Sequence, residues 1–555
     1  MVNYLKKTKG RKMAMHAIRV ERRLGSSAAA FAVAAAAFLT AVALFADDGL
    51  SEAVKADLKN VVRQGGIGDR PFWNANASMF MYPPAFDFRE VGNVKRYSFR
   101  VLASDGKLHT FVAKSPKSSL APIWDKLPTG WTAVECYYNV HQVVGSRLFW
   151  KSAPYTPGKY PPAAMPYAEA VKRGYEYVFN HPLSQHVLKT GEPDFTVYHS
   201  CYPSKMYSAI IKSMVSYADY APEKAEEAIA IAKASADWLI SVSEPKGAPL
   251  EFWPPTYWGE NAAAKSNKGR VMLIYPAQAA VAYAALYRKT KAEKYLDAAE
   301  KIAAHFLRLQ GEDGTWPLIM TFADGQVHGK NRLVPIQGAI PMFAALHGIS
   351  GKADYKAALD RAFEYMDKGP MATWNWEGQF EDVRPSSPYS NLTKHNACDM
   401  ALYILERFPK NRKRIAEARE ILRFAEDQFV CWELPFDGAA KESFFGDGDW
   451  KEGVGREKWG LPGVLEQYGW YVPIDASASK LIKLYLALYR AEGKPLDLAK
   501  ARTLGDSITR NLHTEDNHIS THWYGFEPVA HQWLNCHIAS VAALNELDGV
   551  VQAAK

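Results

Sequence analysis

The chain has 555 residues, a hydrophobic fraction of 48% and a formal net charge of +8. This length allows two or three domains around a large buried core. Residues 1–46 hold eight basic side chains and one acidic side chain, which leaves only +1 for residues 47–555. A general affinity for nucleic acid therefore loses its main support, and we expect no nucleic-acid partner.

The N-terminus has the pattern of an export signal. A basic stretch over residues 1–25 precedes an uncharged run of 19 residues from Ala28 to Ala46, and Asp47 follows. Such an order is typical of a secretory signal peptide. The alternative is an uncleaved anchor, because a run of this length can just span a bilayer. We assign residues 1–46 to a signal peptide or anchor and expect export, with membrane contact only if the segment stays uncleaved.

Motifs for metals and cofactors are not found in the sequence. The five cysteines are scattered without a CxxC pair, which argues against a four-thiolate zinc site. We expect mostly buried free thiols, with one disulfide as the alternative. The chain has no Walker loop, Rossmann fingerprint, nucleophile elbow or HExxH motif, so we predict no cofactor and no metal.

Residues 85–155 predict a small β domain. Apolar and polar residues alternate in several short segments, which are separated by turn signals such as Asp105-Gly106. We expect a fibronectin- or immunoglobulin-like β-sandwich after an N-terminal extension over 47–84. The proline-rich stretch 155–162 is the expected linker to the next domain.

From residue 166 to residue 555 the hydrophobic period changes to 3.6, which predicts helices. The expected helices are 166–180, 204–220, 222–242, 275–290, 292–310, 335–349, 352–368, 394–408, 411–430, 474–491, 495–511 and 533–547. Short connections join them in pairs, and the last helix can close a ring against the first. The predicted fold is therefore mainly α, an (α/α)6 toroid of paired helices preceded by a β-sandwich.

Long segments of about 20–40 residues connect one pair to the next, whereas solenoid repeats have short connections on both sides. Long ordered loops in a compact domain are usually functional, and in this plan they all emerge at one end. They carry most of the tryptophans of the helical domain. Indole faces stack on sugar rings, so these loops indicate a carbohydrate cleft, although each Trp alone is more simply a loop anchor.

The densest polar cluster lies in the segment that begins with Trp374 and Trp376. Its carboxylates Glu377, Glu381 and Asp382 fall within six residues, and Tyr389 and His395 follow. Like charges in close proximity raise at least one carboxyl pKa, which suits a general acid. These five are the catalytic candidates, and the alternative is that Glu381 and Asp382 pair with Arg384 or cap the next helix. The substrate-binding candidates are Trp253, Tyr257, Trp258, Trp316, Arg332, Trp374, Trp376, Gln379, Asn391, Trp432, Tyr468, His522 and Trp523. Trp533, Asn535 and His537 form a last polar group, in which His537 has the spacing of a core histidine.

Two loop motifs carry a resemblance to known proteins. These are GEDGTWP at 311–317 and WNWEGQFEDV at 374–383, set within the twelve-helix plan. Residues 166–547 resemble the six-hairpin (α/α) toroid carbohydrate enzymes, which include glycoside hydrolases such as the unsaturated glucuronyl hydrolases, and polysaccharide lyases. The N-acylglucosamine 2-epimerases share the toroid, but their Arg-Gly-Gly-Trp pattern is absent here. The resemblance implies the fold and a carbohydrate substrate, and it assigns no catalytic residue.

Three functions follow as hypotheses. The first is a secreted glycoside hydrolase that acts on a polysaccharide fragment, with a uronic-acid-containing fragment as one candidate. The second is a polysaccharide lyase with Tyr389 or His395 as base and Arg332 or Asn391 as neutraliser. The third is a glycan-binding scaffold without catalysis. The partner expected in all three is an oligo- or polysaccharide.

Overall fold

The computed structural model describes residues 77, 79–86, 88–139, 142–377, 389, 391–433, 462–468, 473–521 and 533–554. The predicted export segment lies outside them. None of the helices within this part of the chain is both long enough and apolar enough to cross a membrane.

A five-stranded sheet precedes the helices. Its strands are β1 (Met79–Phe80), β2 (Tyr97–Leu102), β3 (Leu108–Ala113), β4 (Gly130–Asn139) and β5 (Gln142–Lys151). Their order is β1-β5-β4-β2-β3, in which β1 runs parallel to β5 and the other pairs are antiparallel. Two short antiparallel pairs follow later in the chain: β6 (Arg270–Met272) with β7 (Ile319–Thr321), and β8 (Val430–Cys431) with β9 (Gly463–Val464).

Residues 85–155 thus contribute to one sheet within the described residues, rather than to the two packed sheets that the sequence predicted. The buried face of this sheet is covered by non-strand segments instead of by a second sheet. Phe149 of β5 packs at 5.9 Å from Phe86 and at 6.0 Å from Trp124, which lies in a 3-10 turn. Alternation of apolar residues is the same in a single covered sheet and in a sandwich, so it does not distinguish them.

The rest of the described chain is helical. The helices are α1 (Tyr167–Asn180), α2 (Pro182–Thr190), α3 (Pro203–Tyr220), α4 (Ala225–Ser241), α5 (Ala262–Ser266), α6 (Ile274–Thr290), α7 (Glu293–Leu309), α8 (Ala339–Ser350), α9 (Ala353–Lys368), α10 (Pro370–Thr373), α11 (Lys394–Arg407), α12 (Arg412–Phe429), α13 (Asp475–Glu492), α14 (Pro495–Arg510) and α15 (Leu534–Ala553). All twelve predicted helices are confirmed, and α2, α5 and α10 are additional short helices within the long connections.

The helices form an (α/α)6 toroid. Its inner ring consists of α3, α6, α8, α11, α13 and α15, and the outer partners are α4, α7, α9, α12, α14 and α1 in the same order. An inner helix is buried on several sides, so small residues allow close approach. In α6, for example, Ala277, Ala280 and Ala284 are fully buried.

The sheet is joined to the toroid at α12. The buried carboxylate of Asp427 accepts hydrogen bonds from the backbone N–H groups of Met81 at 2.8 Å and Tyr82 at 2.7 Å. Burial raises the pKa of Asp427 to about 7, and these two hydrogen bonds oppose that rise. Four of the five cysteines are buried and all five are free thiols, as expected from their scatter.

The ring closes where α15 packs against α1. Gly174 of α1 faces Val541 of α15 so closely that an added Cβ atom would lie 2.3 Å from a Val541 methyl carbon. His537 of α15 fixes the same contact, because its Nε2 donates to the Gly174 carbonyl at 2.8 Å. Its Nδ1 accepts from the Ile519 N–H at 2.9 Å. Both ring nitrogens are therefore satisfied in one neutral tautomer, which confirms His537 as a core histidine.

Replacing Gly174 by Ala tests this closure. In a helix interior Ala is normally favoured over Gly by about 1 kcal/mol, but here the new methyl group overlaps Val541. We expect Gly174→Ala to lower the free energy of unfolding by about 1–3 kcal/mol. The control is Gly549→Ala in α15, where nothing lies within 4 Å of the added carbon, and this change should be neutral or stabilising. Urea unfolding of both variants makes the comparison, and equal effects would contradict the packing.

The buried imidazole of His537 also predicts a pH dependence. Burial is the main cause that lowers its pKa to about 3, against about 6.5 in an unfolded chain. Its stabilising contribution is complete above pH 6.5 and is lost as the pH falls towards 3, because only the unfolded state binds the proton. From pH 7 to pH 5 this group should cost about 2 kcal/mol of stability. In urea unfolding, the His537→Gln variant should have a lower free energy of unfolding at pH 7. Between pH 7 and pH 5 this free energy should fall by about 2 kcal/mol less than in the wild type. An equal fall in both proteins would refute the assignment.

Candidate functional site

A cavity of about 440 Å³ lies along the axis of the toroid, between the inner helices. We term it the axial cavity. Its lining includes His395, Asp399, Gln337, Gln278, Asn535, Lys205, Lys212, Lys480 and Lys483, together with small residues such as Ala209, Ser213, Ser479 and Ala539. This volume lies within the usual range for a small-molecule site.

One end of the axial cavity coincides with the N-termini of the inner helices. Lys205 lies in the first turn of α3, His395 in the first turn of α11 and Asn535 in the first turn of α15. We term this end the mouth. Helix N-termini carry partial positive charge, so six converging inner helices favour negative groups there.

A buried lysine and an imidazole stand side by side at the mouth. Lys394 has no exposed surface, and its ammonium donates to the Glu466 carbonyl at 2.8 Å and to Ser477 Oγ. It lies 3.1 Å from Nε2 of His395. Since an ammonium has no lone pair, His395 accepts this hydrogen bond at Nε2.

Burial sets the protonation state of this pair. It lowers the pKa of Lys394 to about 7, opposed by the neighbouring Glu466. It also lowers the pKa of His395 well below the ordinary value, and the charges of Lys394 and Lys480 lower it further. His395 is therefore a neutral base at neutral pH. A carboxylate oxygen of Glu466 lies 3.8 Å from its Nε2.

Two carboxylates flank the start of α11. Isolated β-bridges pair Glu377 with Leu392 and Thr393 with Gln467, so three backbone segments lie side by side. Neighbouring strands are about 4.8 Å apart, which places the outer two segments about 10 Å from one another. Glu377 stands on one outer segment, and Glu466 precedes Gln467 on the other. The mouth therefore holds two carboxylates with His395 on the helix that starts between them.

The structure separates the predicted catalytic residues. His395 lines the axial cavity. Glu377 is not in that lining, but its backbone is bridged to Leu392 just before α11, and Asn375 donates to its carboxylate at 2.8 Å. Tyr389 is directed elsewhere, because its hydroxyl donates to the Thr373 carbonyl at 2.9 Å and it is not part of the cavity lining. Five predicted site residues lie outside the described residues: Gln379, Glu381, Asp382, His522 and Trp523.

Most of the predicted tryptophan platforms are buried. The exposed fractions are 0% for Trp253, 0% for Trp316, 5% for Trp374, 1% for Trp376 and 2% for Trp432. The prediction that these five indoles face a sugar is wrong. They anchor the long loops to the helices, as when the indole N–H of Trp316 donates to the Phe306 carbonyl at 2.7 Å. Each indole removes a large apolar area from water; Trp253 and Trp316 tie their loops to α7, and Trp432 packs against Tyr155 and Tyr160 of the linker.

The other predicted binding residues have mixed positions. Trp258 is 36% exposed, and Tyr257 packs edge-on against Tyr202 at 5.9 Å. Arg332 is exposed and, with Glu377, lies close enough to Tyr365 to affect its pKa. Asn391 is half-buried just before α11.

Tyr468 does not face the site. It is 8% exposed, and its hydroxyl donates to Gln428 Oε1 at 2.5 Å within the core. Its predicted role in substrate binding is therefore corrected to a structural one.

Trp533 belongs to an aromatic surface at the mouth, although the sequence did not place it among the substrate-binding candidates. Trp533 is half-buried, stacks on His199 at 4.3 Å and lies 5.6 Å from Tyr202. The ammonium of Lys205 lies 4.2 Å above the Trp533 ring. Their positions in the sequence could have revealed this surface, because Trp533 immediately precedes the last inner helix and Lys205 lies in the first turn of another.

The sequence did not predict the lysines of the axial cavity as site residues. Lys205 and Lys212 are seven residues apart on α3, and Lys480 and Lys483 are three apart on α13, so each pair shares a helix face. That face also carries small residues, Ala209 and Ser213 on α3 and Ala476 and Ser479 on α13. Lysine and small residues that share one face of an otherwise buried helix are the sequence pattern that could have predicted this part of the cavity. Among the described residues, no group of three or more His, Cys, Asp or Glu is placed to hold a metal ion.

No protein-family model matches the chain, and no curated protein sequence matches it either. Similar solved structures are carbohydrate-active enzymes with (α/α)6 toroids. A family 76 glycoside hydrolase from Bacteroides thetaiotaomicron is 12% identical, with a TM-score of 0.43 over 82% of this chain and 93% of that one. Cellobiose 2-epimerase from Spirochaeta thermophila is 12% identical, with a TM-score of 0.47 over 69% and 98%.

A polysaccharide lyase is also similar, at 11% identity and a TM-score of 0.43 over 81% of this chain and 60% of that one. At such identities, likeness between structures does not define a reaction. The fold assignment rests on the helix packing of the chain itself.

The corrected roles of the tryptophans predict different costs for their removal. Trp316→Ala deletes a fully buried indole and should lower the free energy of unfolding by about 3–5 kcal/mol. Trp533→Ala deletes a half-buried indole at the mouth and should cost roughly 1–2 kcal/mol. Urea unfolding of the two variants measures the difference. Equal costs would mean that Trp533 is as much a core residue as Trp316.

Proposed function

We propose that this protein is a carbohydrate-active enzyme and, more specifically, a glycoside hydrolase that acts on a polysaccharide fragment after export. The observation that carries the proposal is that Glu466 lies 3.8 Å from His395 of the cavity lining, while Glu377 stands on the segment at the other side of the start of α11. The aromatic surface of Trp533 borders the same opening and suits the apolar face of a sugar ring.

Hydrolysis of a glycosidic bond needs two carboxyl groups on either side of the bond. Glu466 fits the general acid, because it lies beside buried groups and close to His395. Glu377 fits the second carboxylate, since Asn375 holds its side chain in place. In this mechanism Glu466 protonates the leaving oxygen, and Glu377 activates water or stabilises the sugar cation. His395 is neutral and accepts from Lys394 at Nε2, so in this mechanism its Nδ1–H donates a hydrogen bond to a substrate oxygen.

One observation favours a polysaccharide lyase as the second candidate. Burial keeps His395 unprotonated within the cavity lining, which is the state that a base for proton abstraction requires. A lyase also needs a cation near the uronate carboxylate, and Lys205 at the mouth supplies one. Tyr389, the other predicted base, does not fit because its hydroxyl is bonded to Thr373.

Glutamine variants test the hydrolase. The purified protein would be incubated with neutral and uronic-acid-containing polysaccharides while reducing ends and near-ultraviolet absorbance are recorded. Glu466→Gln and Glu377→Gln should each lower the release of reducing ends by roughly 10²–10⁴-fold, because proton transfer and charge stabilisation are lost. Glu364→Gln is the matched control, since this carboxylate lies on the surface of α9 and pairs with Lys368. The control should retain wild-type activity and all three should keep the wild-type melting temperature.

Each remaining outcome selects another function. Absorbance that rises with reducing ends, and that is lost in His395→Gln while Glu377→Gln stays active, would replace the hydrolase by the lyase. Binding of a polysaccharide without any turnover, unchanged in both glutamine variants, would replace it by a glycan-binding scaffold.

A further inference from the structure

Three lysines meet in the axial cavity at a distance from the carboxylates of the mouth. Lys212 lies on α3, and Lys480 and Lys483 lie on one face of α13. Lys212 is two helical turns beyond Lys205, which places it about 10 Å further along the axis. We term Lys212, Lys480 and Lys483 the inner lysines.

The charge of the inner lysines is not balanced within the described residues. Lys480 pairs with Asp399, whose carboxylate is the one acidic group in the described lining. Neither Lys212 nor Lys483 forms an ion pair with a described residue. The carboxylates of Asp399 and Glu546 act on Lys483 only at longer range. Three positive charges thus face the cavity with one negative charge among them.

Without a bound anion this arrangement is unfavourable. The side chain of Lys212 is exposed to the cavity, and its pKa is lowered to about 8 by desolvation and by the charges of Lys480 and Lys483. Burial and the charge of Lys480 also lower the pKa of Lys483. The ammonium groups of Lys212 and Lys483 are therefore destabilised by their surroundings and by neighbouring positive charge. A negative group between them would oppose both effects.

The lining around the inner lysines is suited to a small polar ligand. Ser216 contributes an exposed hydroxyl group, while Ala539 and Ala542 leave space. Lysine binds anionic oxygens as a mobile point charge and does not demand one fixed geometry. Carboxylate and sulfate oxygens both satisfy such a site, whereas a neutral sugar hydroxyl gains little from it.

We propose that the inner lysines form a subsite for the acidic group of a saccharide, a carboxylate or a sulfate ester, which enters through the mouth. The saccharide part of this inference rests on the proposed function, and the anionic part rests on the cavity itself. The acidic end lies on the axis, and the bond that reacts lies nearer to Glu466.

Calorimetric titration of the full-length protein at low ionic strength tests the subsite directly. The probes are glucuronate, glucose and inorganic sulfate. We expect glucuronate to bind at least ten-fold more tightly than glucose. In the double variant Lys212→Met, Lys483→Met this preference should disappear. If inorganic sulfate displaces glucuronate from the wild type, a sulfate ester fits the same subsite. If sulfate binds and glucuronate does not compete with it, the assignment of the subsite to a saccharide is overturned.

Two further variants separate the subsite from bulk electrostatics and from unfolding. Lys289→Met, Lys294→Met removes the same total charge from two surface lysines that pair with Asp219 and Asp237, and should leave the preference intact. Lys212→Arg, Lys483→Arg keeps the charge and should retain a preference for glucuronate. Methionine relieves repulsion inside the cavity, so the double variant should melt no lower than the wild type. A preference that survives in the methionine double variant would overturn the proposal.

This experiment can fail independently of the proposed function. Tight binding of glucuronate without cleavage of any polysaccharide would support the subsite and contradict the proposed enzymatic function. If the protein cleaves neutral polysaccharides, shows no preference for glucuronate and keeps its rate in the methionine double variant, the subsite is contradicted and the enzymatic function is supported.

Discussion

The direction of the helix pairs is the constraint on which the rest of the molecule depends. Five inner helices are joined to their outer partners by short connections at one end of the toroid, and α15 pairs with α1 to complete the ring. The inner helices therefore run in the same direction. Their N-termini and the long segments that precede them must then meet at the opposite end. Glu377 and Glu466 stand on those segments, and His395 and Asn535 stand on the first turns of the helices. The converging helix dipoles make this end attractive to negative groups before any side chain is considered.

Closure of the ring gives the cavity its shape. The first helix of the toroid is the outer partner of the last, and the contact is tight enough that Gly174 has no room for a side chain. Inner helices that are buried against two neighbours and an outer partner expose only one narrow face to the axis. Among the described lining residues, that face carries serine, alanine, asparagine and lysine beside Tyr275 and Ile538, and it has no leucine or phenylalanine. The axis is therefore left open, although large apolar side chains would have filled it with a gain in stability.

The sequence predicted the elements well and the site only in part, for physical reasons. Period 3.6 reports directly which residues face a neighbouring helix, so all twelve helices and the ring closure were predictable. Alternation in strands does not reveal which strands pair, and a single sheet replaced the expected sandwich. A tryptophan in a loop carries no period, so the burial of Trp253 and Trp316 was not predictable. The inner lysines, in contrast, lie on periodic helices, and their spacing could have revealed them.

The distribution of charge along the axis connects the site to its chemistry. Carboxylates at the mouth repel an acidic saccharide, while ammonium groups about two helical turns deeper attract it. In the proposed mode of binding, an acidic chain passes Glu466 and is held by the end that does not react. Interactions made far from the reacting bond can be used to orient and strain that bond, which is how binding energy contributes to catalysis. The imidazole of His395, which burial keeps neutral, adds no positive charge at the mouth that would compete with the inner lysines for the anion. Burial of His395 beside Lys394 thus serves the same arrangement as the lysines themselves.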